Sequence, residues 1–400
     1  MRRAYKFRLR PTAKQHVALA QCLDAHRELY NAALEERRDA YERVVRRAPN
    51  YWSGSRPKGP VAFKTQSAQL PEIRASRPEI ARWGAGSEQA TLRRLNKAFE
   101  AFFRRVKAGQ EPGYPRFKPA HRFDSVEWPS PGDACKWRPE ASRVYLQGVG
   151  HVKVSVHRAV EGRVKTISVK REGRRWFLVL SCDDVPEKLL EPTGSQIGID
   201  VGIASFATTS AGEHIANPRP GRAAASRLAS AQQNLAKKKR GSNNRRAARE
   251  VVGARHRKVA NQRLDFHHQV ARRLITDHDV LCVEILKIKN MTRSAKGTVE
   301  DPGINVAAKS GLNRSITDAG WAQFLSILKG KAEEAGRTVI DVDPRHTSQT
   351  CAECGHVDPG NRVSQAVFRC QLCGHQAHAD INAARNILRA GLARPAAQAA

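Results

Sequence analysis

The sequence predicts a multidomain α/β protein, and three observations carry that prediction. Two apolar strands are each interrupted by a single acid, short strands crowd the middle of the chain, and two CxxC pairs stand near its end. A length of 400 residues accommodates several cores of ordinary domain size. Charge narrows the partner: 70 lysines and arginines against 38 acids leave a formal net charge of +32. Such a surplus repels itself in a compact state and is relieved beside a polyanion, which points to nucleic acid. A basic structural protein, as in ribosomes, is the plainer alternative, but such chains rarely carry acids inside apolar strands. Aromatic residues make up only 6% of the chain, so phosphate contacts rather than base stacking are expected to supply affinity. No apolar run approaches a membrane span, and no apolar segment follows the opening MRRAYKFRLRP. A reducing cytoplasm in contact with nucleic acid is the expected setting.

Tyr5, Phe7 and Leu9 alternate with Lys6, Arg8 and Arg10 ahead of Pro11, the pattern of a strand with one apolar and one cationic face. From Ala13 to Arg47 the period becomes helical, with Leu19, Leu23, Leu29, Tyr30, Ala33 and Leu34 on one stripe. A Pro/Gly/Ser-rich break, Pro49 to Pro60, separates it from a second helix. There Leu92, Leu95, Phe99, Phe102, Phe103 and Val106 read as helix–helix core. After Gly113 the segments 152–156, 166–169 and 176–180 read as short strands of a small barrel, which the opening strand would complete. Nothing in the chain reads as a helix-turn-helix or a zinc-finger array.

The acids carry the chemistry. Asp200 interrupts the apolar strand Ile197-Gly198-Ile199-Asp200-Val201, and Glu284 interrupts Val280 to Leu286. Asp380 sits in the first turn of a helix beginning His378-Ala379-Asp380-Ile381-Asn382. Singly, each has an ordinary reading: a turn acid, an edge residue, a charge favoured by the helix dipole. Together, unpaired carboxylates from two buried strands call for a shared cation. Three acids from two central strands and a helix start describe an RNase H-like nuclease site, where two Mg²⁺ ions about 3.5–4 Å apart serve phosphodiester hydrolysis. Asp265, Asp341 and Asp343 are competing acids, the last two read as a solvated loop beside a proline.

Cys351, Cys354, Cys370 and Cys373 follow C-x2-C-x15-C-x2-C, with Gly355 and Gly374 after each pair to let the backbone turn toward a tetrahedral ion. Four thiolates leave no open position, so structural zinc is expected. His356, His375 and His378 are then read as facing solvent or phosphate. Cys22, Cys135, Cys182 and Cys282 read as buried reduced thiols. Between Arg219 and Arg263 there are 14 lysines and arginines and one acid, Glu250. Lys237, Lys238, Lys239, Arg240, Arg245, Arg246 and Arg249 form its centre. One sign on nearly every turn reads as a helix tracking a nucleic-acid backbone.

These motifs resemble the TnpB (OrfB) proteins of small bacterial transposons. The resemblance lies in Thr347-Ser348-Gln349-Thr350-Cys351 through Cys373, in Asp380-Ile381-Asn382-Ala383-Ala384-Arg385-Asn386, in Gly198 to Gly202, in Asn290 to Arg293 after Glu284, and in Lys97-Ala98-Phe99 through Phe117-Lys118. It implies a wedge-like barrel from residues 1–11 and 113–192, with a helical recognition insertion over 12–112. It further implies a RuvC-like nuclease domain from 193–346 and 376–392, a zinc ribbon over 347–375 and a flexible tail over 393–400. The implied activity is RNA-guided cleavage of DNA beside a short adjacent motif, in a bacterial cytoplasm near the nucleoid. Guide RNA, target DNA, structural zinc and two Mg²⁺, with Mn²⁺ as the alternative, are the implied partners. The triad is Asp200, Glu284 and Asp380, and the zinc ligands are the four paired cysteines. One departure stands out: the family often places an acid after the catalytic Glu, where this chain has Ile285. A compact type V CRISPR effector, a guided DNA-binding repressor and an unguided RNase H-like nuclease remain the alternatives.

Overall fold

The computed structural model describes residues 1–47, 61–132 and 134–398, in two compact units, Met1–Pro186 and Glu187–Ala400. The sequence break at Pro49 to Pro60 lies outside the described residues.

The first unit opens with strand β1 (Arg3–Arg10), whose Tyr5, Phe7 and Leu9 are buried. Helix α1 (Ala13–Arg47) starts at a reciprocal cap: Thr12 Oγ1 accepts the Gln15 N–H at 3.3 Å and Gln15 Oε1 accepts the Thr12 N–H at 3.1 Å. Short helices α2 (Phe63–Ala68), α3 (Leu70–Ser76) and α4 (Pro78–Ala81) lead to α5 (Ala85–Lys107). Leu34 on α1 and Leu92 and Leu95 on α5 are essentially inaccessible; burying each contributes about 1.5–3 kcal/mol. The expected stripe on α5 splits. Phe99 is buried, but Phe103 is 55% and Val106 48% exposed. There the helix has run past the core, and Phe99, Phe102, Phe103 and Tyr114 pack on one another instead.

Strands β2 (Ser125–Trp128), β3 (Cys135–Arg138), β4 (Arg143–Leu146), β5 (Gly150–Ser155), β6 (Arg163–Glu172) and β7 (Arg175–Asp183) follow. With β1 they form one antiparallel sheet ordered β2-β6-β7-β1-β5-β4-β3, the opening strand lying between β7 and β5. Two strands separate β1 from β3, yet the rings of Phe7 and Trp137 are 6.3 Å apart. A flat sheet would hold those strands about 14 Å apart, so this one curls strongly. The end strands are not hydrogen-bonded to each other among the described residues, so the barrel is open. Trp83 fills the seam. Its carbonyl accepts the Trp128 indole N–H at 3.3 Å, and its ring lies against Gly148, where a side chain would collide with it.

In the second unit, β8 (Gln196–Val201), β9 (Ser205–Thr209) and β10 (His214–Ala216) form an antiparallel run, each strand opposite in direction to the one before. Helices α6 (Pro220–Ala236) and α7 (Asn243–Asp277) come next, then β11 (Val280–Glu284). Helices α8 (Ile288–Met291), α9 (Val306–Ala319) and α10 (Trp321–Ala335) lead to β12 (Thr338–Val342). The sheet order is β10-β9-β8-β11-β12, with β11 parallel to both β8 and β12. Asp341 therefore lies in a strand, not the expected loop. It is held by Lys329 at 2.6 Å, and Asp343 by Arg345 at 2.8 Å. A small hairpin, β13 (Val367–Arg369) with β14 (Gln376–His378), precedes α11 (Ala379–Gln398). Helix α11 continues into the expected tail as far as Gln398.

Alternation sorts the two faces of this sheet. Ile197 and Ile199 of β8 and Leu281 and Val283 of β11 pack with α7 and α10 through Leu274, Phe324 and Leu328. Cys282 faces the other way, with Val342 and Ile387 of α11. Gly198 lets that helix come close: a Cβ there would stand 2.1 Å from the Ala384 carbonyl oxygen.

Candidate active site and metal centre

The parity that turns Ile199 and Val283 toward α7 and α10 turns Asp200 and Glu284 toward α11. One residue on from the Val283–Ile199 pair, Glu284 stands opposite Asp200 across parallel strands. Asp380, in the first turn of α11, is brought to the same place by the close crossing at Gly198. Burial, then the charges of Glu284 and Asp380, push the Asp200 carboxyl up to about 8. Burial also raises Glu284, partly offset by the Thr347 hydroxyl, which donates to Glu284 Oε1 at 2.6 Å. Asp380 Oδ1 accepts from Arg362 Nη2 at 3.3 Å. Asp200 thus feels the charges of both other acids and of the Arg362 guanidinium, although among the described residues the three carboxylates are not gathered as tightly as the four cysteines. Asp265 stays apart on α7, exposed and bonded to Gln269. Ile285, where an acid was noted as absent, is 43% exposed.

Sequence reasoning missed the residues that lock this geometry. Asn382 and Asn386, one turn apart on α11, are buried. Asn386 Nδ2 donates to the carbonyls of Thr347 and Thr350 at 2.9 and 2.6 Å. Asn382 bonds the Thr350 carbonyl and the Ala352 N–H at 2.8 and 2.9 Å. They tie α11 to the 347–352 loop and so carry Thr347 to Glu284. An amide pair at i and i+4 on the buried side of a helix was the available signal. Arg362, inside the cysteine segment, offered none.

The four paired cysteines converge, their sulfurs all within 4.8 Å of one another. The Cys351–Cys373 and Cys354–Cys370 sulfurs are 3.7 and 3.6 Å apart. A tetrahedron with metal–sulfur bonds of about 2.3 Å has edges of roughly 3.8 Å, the spacing of those two pairs, so the cluster suits zinc. The two halves repeat one turn. Gly355 and Gly374, at φ +78° and +74°, return their N–H groups to the Cys351 and Cys370 carbonyls at 3.0 and 3.1 Å. Cys22, Cys135, Cys182 and Cys282 are buried free thiols.

The basic segment is not one helix. It is a hairpin: α6 ends at Ala236, Gly241 turns at φ +85°, and Ser242 caps α7 by accepting the Arg245 N–H at 3.1 Å. Gly-Ser-Asn-Asn stops a helix, which the charge pattern obscured. Lys237, Lys239 and Arg240 are exposed at the tip, and Arg246 and Arg249 on the first turns of α7. Lys238 is half-buried. Arg245 is used internally, donating to the carbonyls of Leu235 and Lys238, both at 2.9 Å.

A five-stranded sheet ordered 3-2-1-4-5, with acids on its two central strands and a four-cysteine ribbon ahead of its last helix, defines an RNase H-like domain of the RuvC kind. Family models agree. One described as "Probable transposase" matches residues 179–295, and one described as "Cas12f1-like, TNB domain" matches 321–387. A third, described as "Helix-turn-helix domain", matches 1–44, a description the sequence reading did not anticipate. Those residues form β1 and most of the single helix α1, with no turn between two helices. The "Putative RNA-guided DNA endonuclease InsQ" of Escherichia coli (strain K12) is 34% identical over 389 residues, 97% of this chain and 92% of its own. A "Putative RNA-guided DNA endonuclease" of Streptomyces pristinaespiralis is 31% identical, covering 99% of this chain and 91% of its own. The Cas12f1 endodeoxyribonuclease of Sulfoacidibacillus thermotolerans is 29% identical over 76% of this chain and 77% of its own. A cryo-EM structure of a Cas12f1–sgRNA–target DNA complex shares the fold, with a TM-score of 0.53 at 17% identity over 93% of this chain and 82% of that one. The chain belongs to the TnpB family, which is related to the type V CRISPR effectors.

Proposed function

We propose that this chain is an RNA-guided DNA endonuclease that hydrolyses target DNA beside a short adjacent motif. The carrying observation is that Asp200, Glu284 and Asp380 share the α11 face closely enough for the charges of the other two, with burial, to push Asp200 up to about 8. An all-oxygen set with that much uncompensated negative charge suits Mg²⁺, with Mn²⁺ as the alternative. When bound, a pair of such ions supplies an activated water and stabilises the leaving 3′ oxygen. The protein's part is positional. Asp200 sits centrally and gives up its proton to act as a ligand. The Thr347 hydroxyl orients Glu284, and Arg362 holds Asp380 while adding positive charge beside the substrate path. The cysteines hold structural zinc, which keeps the segment bearing Thr347 and Arg362 in place.

The exposed cations of the α6–α7 hairpin supply phosphate contacts, which position nucleic acid without reading its sequence. Specificity then falls to pairing between a guide RNA and the target, with the protein reading only the adjacent motif. The names of the relatives favour this over an unguided nuclease, and the complete acid set favours cleavage over a binding-only repressor. The test is cleavage of duplex DNA by purified protein with and without a matched RNA. Cutting is expected only with the RNA, Mg²⁺ and a fixed motif beside the match. Efficient cutting of arbitrary duplex by the RNA-free protein would overturn the guided reading.

A further inference from the structure

The row of side chains on the α11 face continues beyond Asp200. Asp200 pairs with Thr208 on β9, and Thr208 pairs with His214 on β10. Residues directly opposite on antiparallel strands project to one face, so these three stand side by side. Thr208 is buried, and its Oγ1 lies 3.1 Å from His214 Nδ1, with Ser205 Oγ 3.4 Å from the same nitrogen. The His214 ring meets that of His378 edge-on, centroids 4.6 Å apart. His378 closes β14 immediately before α11, and its Nδ1 accepts the backbone N–H of Asp380 at 3.3 Å. That bond leaves the hydrogen of a neutral His378 imidazole on Nε2. Neither Nε2 has a protein partner among the described residues. The adjacent Glu213 is held by Arg273 at 2.7 Å, so its charge is already answered.

Two strand spacings separate β10 from β8, about 10 Å. A DNA strand with its scissile phosphate over Asp200 and Glu284 carries another phosphodiester past the histidines. We propose that His214 and His378 form a binding pair for that neighbouring phosphodiester, fixing which bond of the strand lies over the acids. This rests on the nuclease reading above. Lysines and arginines at a hairpin tip attract phosphate from many directions. Two imidazoles locked by Thr208 and by the start of α11 present their Nε2 atoms in fixed directions, and fixed direction is what sets a register. They are positioning residues, acting on the substrate strand rather than on the bond that breaks.

The experiment uses the full chain with a matched guide RNA and target DNA, and maps the cut at single-nucleotide resolution. His214→Ala and His378→Ala are each expected to slow single-turnover cutting roughly tenfold, the scale of one hydrogen bond to a charged group. Cuts should spread to neighbouring bonds while target binding and the Mg²⁺ requirement stay unchanged. His214→Gln and His378→Gln, whose amides reach the position of Nε2 and keep an N–H donor there, should restore the single cut. A methylphosphonate placed in turn at each phosphate flanking the cut should slow the wild type at one position and leave the alanine variants no slower there. A histidine pair that merely packs the sheet edge would lower stability without moving the cut, and losses would add at every methylphosphonate position. Unchanged rate and cut position in both alanine variants, or fully additive losses, overturn this inference alone. A wild-type protein that never cuts overturns the nuclease reading and this inference with it.

Discussion

The cysteine cluster and the carboxylate row are both candidate metal sites, yet they are built in opposite ways. The cysteines come from one stretch, residues 351–373, whose apolar core is small: Cys351, Phe368, Cys370 and Ala379. The acids come from residues 200, 284 and 380 and stand on a sheet whose own core includes Trp321, Phe324 and Leu328. A metal bound by the cysteines is therefore part of a fold. A metal bound by the acids relieves a conflict that the fold imposes.

Removing one thiol is the strongest way to break that contrast. Cys351→Ser is expected to forfeit most of an apparent binding energy of about 10–16 kcal/mol and to unfold the ribbon while the five-stranded sheet survives. Elemental analysis should show zinc lost. Hydrogen exchange should show protection gone over 351–378 but kept on β8 and β11. Because Arg362 lies on that segment and Thr347 in the loop leading directly into it, cleavage should go too. A zinc-free ribbon that stays protected would mean its backbone is self-sufficient.

The acids should behave the other way round. Asp200→Asn is expected to abolish cutting and leave DNA binding and zinc content intact. Without divalent metal it should also flatten the dependence of stability on pH. The folded protein holds the Asp200 proton up to about 8, whereas the unfolded chain releases it near the ordinary aspartate value of 3.8. Between those values the native state binds more protons than the unfolded one. Metal-free wild type therefore loses stability as pH rises through that window, by at most about 1.4 kcal/mol per pH unit for this group, and levels off above it. Thermal midpoints in chelator from pH 5 to 9 measure this. Equal slopes in the two proteins would remove the charge conflict from the account.

The same contrast explains what the sequence disclosed. The cysteines were legible because their spacing is local and chemically restrictive. Asp200 and Glu284 were legible because one acid in an apolar strand is conspicuous, and β1 and α1 because alternation and a long uninterrupted stripe leave little choice. What escaped depends on partners distant in sequence. Strands β2, β3 and β4 are only four residues each, too short for a period to declare itself. The split at Phe103 reflects where the core ends, which no helical period encodes. Thr347, Arg362 and the two asparagines act through backbone carbonyls or acids far along the chain. His214 became noticeable only through its register with Thr208.

Between the two sites stand the asparagines. Asn386→Ala removes both bonds to the Thr347 and Thr350 carbonyls and is expected to cost about 1–3 kcal/mol. Zinc should remain bound, since no ligand is touched. Guided cleavage should fall more than stability does, because the loop carrying Thr347 is then free to drift from Glu284. Denaturant titration beside single-turnover rates separates the two effects, and a variant as active as wild type would show that the loop needs no such tie.

The smallest change probes the single hydroxyl that links ribbon to acid row. Thr347 Oγ1 donates to Glu284 Oε1 at 2.6 Å and lies 3.1 Å from the Pro344 carbonyl. Thr347→Val keeps the shape and deletes the donor. Burial already raises Glu284, and the hydroxyl counters it by favouring the charged form. Without it Glu284 should hold its proton to still higher pH, and a protonated carboxyl is a poor ligand for a hard cation. The Mg²⁺ concentration for half-maximal cutting should rise about tenfold, the lower end of what losing an outer hydrogen bond to a metal ligand costs. The sign of the pH effect is fixed by the same argument. The deficit should be widest at low pH, where the variant's Glu284 is protonated, and should close as pH rises and both proteins are ionised. Thr347→Ser should recover most of the loss, and zinc content should not change. An unaltered Mg²⁺ requirement across pH 6 to 9 would mean that Glu284 is oriented without the ribbon, and that the two sites share a domain but not a function.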